Sequence, residues 1–437
     1  MRIKPLFHSL AFCLPLVAPP SLGANLSEIH QLAVESDAVY AAARQAHRAG
    51  LEALPQGKAL LRPSISLSGA IYQNNTDYSS GNNEDYGSNS YGLKLSQPVY
   101  RKQNLESYEQ TKLAVLLAEQ QLELATQDLV LRVAQAYFDV LLAQDNLATA
   151  QAQKQALLEQ LAQAKKSFEV GVATIVDTHE AQARYDLATA QEIAAQNELE
   201  VKRRALERLI SRQAPRLDEL SAGAPIPLPA PNDMDAWVRQ AEESSLAVQT
   251  ARTALESARR EVERRRGGHY PTLDLVASYV GRGTTNSSTP GSPDSRTGTL
   301  GLELNLPLYL GGATSSQVRE ALASQEKARY ELDNARRQGA LNARQAYLGV
   351  VSGDAQVKAL GQALVSSESQ LKSTKLGLDV GVRTRVDVLN AQQLVYSTQR
   401  DLASARYQTL LAGLQLKAAA GSLSAEDLKA LDVLLKK

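Results

Sequence analysis

Apolar and polar residues alternate with a period of two in four short stretches of the chain, and the long stretches between them read as helix. After Pro63, Ile65, Leu67, Gly69 and Ile71 face one way and Ser64, Ser66 and Ser68 the other, as in a strand with one apolar face. A polar loop, Gln73 to Asn89, follows. Alternation then resumes with Tyr91, Leu93 and Leu95 against Gly92, Lys94 and Ser96, and ends at Pro98. The design returns further on, where Leu273, Leu275, Ala277 and Tyr279 oppose Thr272, Asp274 and Ser278. After a second polar loop, Arg282 to Arg296, Leu300, Leu302, Leu304 and Leu306 oppose Gly301, Glu303 and Asn305. Strands of about ten residues with one apolar face suit a membrane β-barrel, and Tyr72, Tyr91, Tyr100, Tyr270, Tyr279 and Tyr309 suit its interfacial girdle. The other reading is a pair of soluble hairpins over a core, for which no helix rich in large apolar residues is at hand. Four strands fall short of the roughly eight that close a barrel, and an open edge in lipid strands backbone groups without partners. Strands that span a membrane therefore require several chains.

The helical stretches are long. Lys102 to Val170 contains neither proline nor glycine and predicts a helix reaching roughly 100 Å. Its counterpart, Ala313 to Val380, carries Gly339, Gly349, Gly353, Gly361 and Gly377. Returning helices, Thr174 to Leu209 and Thr384 to Ala420, are about half that length. They are continued end to end by the arms Asn25 to Leu60, kinked at Pro55, and Asp233 to Arg266. Two full columns and two spliced ones stand side by side. Pro225, Pro227, Pro229 and Pro231 forbid helix between the halves, and this segment is expected to form a belt with Ser422 to Lys437. Ser424 and Asp427 at capping-box spacing predict a short helix there.

The halves are a duplication. Gly171-Val-Ala-Thr-Ile-Val-Asp177 recurs as Gly381-Val-Arg-Thr-Arg-Val-Asp387, 210 positions on, and Ala136-Tyr137 recurs as Ala346-Tyr347 at the same spacing. A repeat this long is a half-molecule and not a short solenoid unit. The plan is an export leader over 1–24 and a first half over 25–231, with strand pair 63–98, hairpin 102–211 and proline-rich segment 212–231. The second half, 232–437, has strand pair 271–307, hairpin 313–420 and closing segment 421–437.

Composition narrows the chemistry. Aromatics are 5% of the 437 residues, and 47 Lys and Arg balance 47 Asp and Glu, so no net field calls for nucleic acid. Arg2 and Lys4, the apolar stretch Leu6 to Val17 and small residues Ser21, Gly23 and Ala24 read as an export signal. Cys13, the sole cysteine, lies within it behind Phe12, which disfavours lipidation. No later apolar run reaches the roughly twenty residues of a helical span. His8, His30, His47, His179 and His269 are scattered without metal-ligand spacing, and neither a phosphate-binding loop nor a nucleophile motif occurs. No enzyme, metal or cofactor is expected.

At the repeated turn, Gly171 and Gly381 suit a left-handed helix end. Thr174 with Asp177, and Thr384 with Asp387, have capping-box spacing. Both aspartates can be structural caps. Asp387 has a second reading: in an assembly around an axis, identical inward carboxylates form a charged ring that filters cations.

The chain resembles the TolC family of outer-membrane channel-tunnels. Ala136-Tyr-Phe-Asp-Val-Leu141, Val170-Gly171, Tyr185-Asp186, Val380-Gly-Val-Arg-Thr-Arg-Val-Asp-Val-Leu389 and Ala403-Ser-Ala-Arg-Tyr407 carry the resemblance, which covers nearly the whole mature chain. It implies a mainly α fold with a membrane β-barrel, four strands per chain in a homotrimer of twelve strands, continued by a periplasmic helical barrel. It implies an exit duct in outer-membrane lipid for type I secreted proteins or small toxic compounds. The partners implied are a periplasmic adaptor (membrane fusion protein) and an inner-membrane ABC or proton-driven transporter. Asp387 matches the first of two gate aspartates, while the second falls on Asn390. Arg383 matches the tip arginine of a restraining network and Asp177 its acidic partner; the network's threonine and tyrosine fall on Val176 and Leu378. A tip held less firmly and less selective for cations follows. Val170, Gly171, Val172, Val380, Gly381 and Val382 match the tips that adaptors meet. A periplasmic adaptor would need compact β-rich domains beside one hairpin, and a structural coiled coil would need sustained heptads of large apolar residues.

Overall fold

The computed structural model describes residues 23–436 apart from 78, 80, 82, 222 and 286–293. Nearly all of the expected leader and the apex of the second polar loop lie outside the described residues. The first half runs α1 (Leu26–Ser36), α2 (Ala38–Leu51), α3 (Ala53–Ala59), β1 (Ser64–Asp77), β2 (Asn83–Tyr100), α4 (Lys102–Glu169), α5 (Ile175–Ile210) and β3 (Glu219–Leu220). The second runs α6 (Met234–Ser244), α7 (Leu246–Arg266), β4 (Thr272–Thr285), β5 (Ser295–Asn305), α8 (Ala313–Asp379), α9 (Arg385–Ala419), α10 (Ala425–Asp432) and β6 (Leu435–Lys436).

One antiparallel sheet holds the long strands in the order β1-β2-β4-β5. Its register sets apolar residues in rows across all four strands: Ile65 faces Leu95, Leu95 faces Ala277 and Ala277 faces Leu300. Beside the next row, the Tyr91 ring lies over Gly281, where an added Cβ would come within 2.3 Å of it. Nothing among the described residues covers this face; Leu67, Ile71, Leu300 and Leu304 are 71 to 87% exposed. Soluble hairpins over a core are therefore ruled out. Asp274 lies on the polar face with Lys94 and Glu303, as expected, and is buried there, held by Arg101 through two bonds of 2.8 and 2.6 Å, which pins the strands to the start of α4.

Two expectations about length and breaks are corrected. Most of Gln73 to Asn89 is strand and not loop, since β1 runs on to Asp77 and β2 begins at Asn83. The period-two signal vanishes there because both faces become polar, whereas the backbone ladder continues. The interruption expected at Pro55 falls at Glu52, between α2 and α3, which sets Pro55 in the first turn of α3, where a missing N–H costs nothing. The arm also breaks at Asp37, which caps α2 through the Tyr40 amide at 2.7 Å and accepts both terminal nitrogens of Arg132 at 3.0 and 3.1 Å. The second arm breaks at Ser245, 208 positions later, which caps α7.

Beyond the sheet, α7 packs between α4 and α8, and α2 lies along α4. Toward the far end, α5 lies along α4 while α9 packs on α8 and α4, giving the two continuous and two spliced columns. Glycines in α8 bring helices close without interrupting it: a Cβ on Gly353 would come within 2.3 Å of Thr409. The main core lies where the columns are spliced, built from α1, the middle of α4, the ends of α5 and α9, and α10. The expected belt is partly strand, β3 pairing with β6. The Asp432 carboxylate at the end of α10 accepts the Leu26 amide at 2.8 Å, closing the belt on α1.

Candidate functional site

The distal ends of both hairpins carry the candidate site residues, and their geometry follows from the repeated motif. Gly171 and Gly381 take φ of 74° and 79°, the left-handed conformation that ends a helix and that a side chain would strain. The Val172 amide bonds back to the Ser167 carbonyl and the Val382 amide to that of Gly377, both at 2.9 Å. Thr174 and Thr384 cap the returning helices, their hydroxyls accepting the Asp177 and Asp387 amides at 3.2 Å. The aspartates return the bond to the threonine amides at 2.9 Å. Val170, Val172, Val380 and Val382 are 66 to 75% exposed, so each tip is an apolar knob on a rigid turn.

The caps act on the carboxylates. The Thr174 hydroxyl and amide hold the Asp177 carboxyl below its ordinary value, with Arg385 adding a smaller pull. The Thr384 amide and hydroxyl do the same for Asp387, with Arg383 contributing weakly. A carboxylate whose pKa is depressed by folding stabilises the fold above its unfolded pKa, and that contribution is lost as pH falls through the folded value. Tip order should therefore hold from neutral pH down to the ordinary carboxylate value, 3.8, and fall below it. Thr384→Ala should loosen the first turn of α9 by about 1 kcal/mol at any pH above that. Hydrogen exchange of tip amides against pH measures both.

The structure brings together only part of the expected network. The Arg383 amide donates to the Gly377 carbonyl at 3.1 Å, but its side chain makes no hydrogen bond or ion pair among the described residues; its methylenes lie against Gly377, 2.7 Å from where a Cβ would sit. The cation beside Asp177 is Arg385, which also donates to the Ser167 hydroxyl at 2.7 Å and so links the second hairpin to the first. Val176 is exposed. Leu378, Asp177, Arg385 and Gln392 line a cleft of about 300 Å³ between the hairpins. Within it the Gln160 amide bonds the Gln392 carbonyl oxygen.

Asn390 is exposed on α9 and accepts from Arg184 of α5 at 3.0 Å. The same guanidinium reaches Gln393 at 3.3 Å and Glu180, one turn back on its own helix, at 3.0 Å. Sequence reasoning missed Arg184 and Arg385. A signal was present, because the repeat carries Leu394 where Arg184 stands and Ile175 where Arg385 stands, so each arginine breaks the pseudo-symmetry. Further up, Tyr396 donates to the Ala152 carbonyl at 3.2 Å and Arg400 to Gln153 at 3.4 Å. Among the described residues no helix is long and apolar enough to cross a membrane, and no cluster of metal-ligating side chains occurs.

A family profile described as outer membrane efflux protein matches residues 29–212 and again 237–422, one match on each half. The outer membrane protein TolC of Vibrio cholerae is 31% identical over 437 residues, covering 100% of this chain and 99% of that one. The alkaline protease secretion protein AprF of Pseudomonas aeruginosa is 32% identical, covering 95% and 88%. Among solved structures, the CmeC outer membrane channel of Campylobacter jejuni aligns with a TM-score of 0.77 at 16% identity, covering 100% of this chain and 98% of its own, a likeness of fold.

Proposed function

The chain belongs to the outer membrane efflux protein family, and from that premise we propose that it is the outer-membrane exit duct of a tripartite export machine, gated at its hairpin tips. One observation carries the reading: a four-stranded sheet with an uncovered apolar face and two unpaired edges, β1 and β5. Edges cannot remain open in lipid. Pairing β5 of one copy with β1 of the next closes them, and three copies bring the strand number to twelve, above the practical minimum for a barrel. The paired long helices then continue the barrel as a tube on the periplasmic side, with the tips at its far end.

In that trimer the three Asp387 carboxylates converge on the axis and form the constriction, with Asn390 one turn behind. Asp177, Arg383, Val176 and Leu378 lie where hairpins of neighbouring copies meet. The apolar knobs Val170, Gly171 and Val172, and Val380, Gly381 and Val382, receive a periplasmic adaptor, through which an inner-membrane transporter, ABC-type or proton-driven, delivers cargo. Cargo is a type I secreted protein or a small toxic compound. AprF is named for protease secretion, which weights the first.

Single-channel recording in planar bilayers tests the reading. Wild-type protein should give small, cation-preferring currents. Asp387→Ala should raise conductance several-fold and reduce the preference, because a ring of like charge both attracts cations and narrows the path. Large wild-type currents unchanged by the substitution would move the gate elsewhere, and silence from trimeric protein would refute the channel.

A further inference from the structure

Glu180 and Asn390 occupy the same position in the two repeats, 210 residues apart, and a single guanidinium, that of Arg184, joins them. It bonds the Glu180 carboxylate at 3.0 Å from one nitrogen and 3.3 Å from another, the Asn390 carbonyl oxygen at 3.0 Å and the Gln393 carbonyl oxygen at 3.3 Å. Glu180 and Arg184 lie on α5 of the first hairpin; Asn390 and Gln393 lie on α9 of the second. The Arg184 side chain is three-quarters buried, while its bonds to Asn390 and Gln393 lie at the surface between the hairpins. One cation meets one carboxylate and two amides, which leaves the cluster neutral.

We propose that Arg184 is a positioning residue that latches the two hairpins of one chain together, and that Asn390 serves as its acceptor and not merely as a vacated carboxylate position. The inference rests on the tips being the gate. Asn390 follows Asp387 by three residues on the same helix, so both lie on one face about a turn apart. Whatever holds Asn390 therefore sets where the Asp387 carboxylate stands. Expansion of the constriction needs α9 to leave α5, and the Arg184 bonds to Asn390 and Gln393 must break first. Each is a bond from a charged donor, stronger than a neutral one. An amide accepts this bond weakly enough to release. A carboxylate in its place would turn the contact into an ion pair and hold the hairpins tighter.

The latch makes a prediction that charge alone does not. Removal of the fork by Arg184→Gln should raise the ratio of open to closed dwell time in single-channel records by roughly five-fold, the worth of one net hydrogen bond. Asn390→Asp should lower that ratio in the wild-type background and lose that effect when combined with Arg184→Gln. Asn390→Ala with Gln393→Ala removes the same bonds from the other side, and should open the tip even if Arg184→Gln assembles poorly. Reversal potentials in a potassium chloride gradient give the control, because a purely electrostatic role shifts them additively in the single and double variants. Changes in the dwell-time ratio that multiply without coupling would overturn the latch, as would a wild-type ratio in both Arg184→Gln and the Asn390, Gln393 double variant. Asp387→Ala recorded beside them separates the two ideas. If it opens the channel while the latch variants do not, only the latch fails; if it does nothing, the gate itself lies elsewhere.

Discussion

Leu300→Arg is expected to abolish assembly in the outer membrane, while Thr299→Arg, one residue away, should leave it intact. Leu300 lies near the middle of β5, 75% exposed, in the apolar row with Ala277, Leu95 and Ile65. Thr299 pairs with Ser278 on the opposite face, in the row with Lys94 and Ser66. An arginine at mid-bilayer on the lipid face of a barrel costs about 2–4 kcal/mol, and a trimer carries three copies, so roughly 6–12 kcal/mol opposes insertion. On the lumen face the same side chain stays in water. Outer-membrane extraction followed by electrophoresis for unheated trimers reads the difference. Equal loss from both substitutions would mean that neither face meets lipid, and loss from Thr299→Arg alone would turn the sheet inside out.

The asymmetry between these faces was legible in the sequence because water and lipid impose different residue types on alternate positions. Where both sides of a strand are polar, as from Gln73 to Asp77 and from Asp85 to Asn89, alternation has nothing to report and the strand reads as loop. The hairpin turns were legible for another reason: left-handed glycines and Thr-x-x-Asp caps are local chemistry, complete within seven residues. The breaks at Asp37 and Ser245 were not. Each is a capping residue without a glycine or proline beside it, set in an alanine-rich stretch whose propensity for helix is high, and Asp37 is stabilised by Arg132 from a helix distant in sequence. Arg184 and Arg385 were hidden by the same limitation, since their partners lie on the other hairpin. The duplication could have exposed them, because a charge present in one half and absent from the other marks a contact between halves.

That principle sets the expectation for the paired tyrosines. Tyr137 and Tyr347 are equivalent in sequence, yet Tyr137→Ala should destabilise the fold far more than Tyr347→Ala. Tyr137 is fully buried in the main core, edge-on to Phe138 with ring centres 6.0 Å apart. Its hydroxyl donates to the carbonyls of Asp218 at 2.8 Å and Ala24 at 3.1 Å, and burial keeps the phenol protonated by pushing its pKa up. Truncation would leave a large cavity, costing about 3–5 kcal/mol, and deprive two carbonyls of a donor. Tyr137→Phe, which keeps the packing, should cost about 1 kcal/mol. Tyr347 packs only partly, beside Trp237 and Leu416, and its hydroxyl meets the exposed Asn232 side chain at 2.8 Å. Water can replace that partner, so its loss should cost less than half as much. Thermal loss of the helical circular-dichroism signal, measured for all three variants, ranks them. Equal losses from the two alanine variants would mean that the second half depends on the contact of Tyr347 with Asn232 as heavily as the first depends on the contacts of Tyr137 with Ala24 and Asp218. The duplicated halves would then have kept equal cores despite their different surroundings.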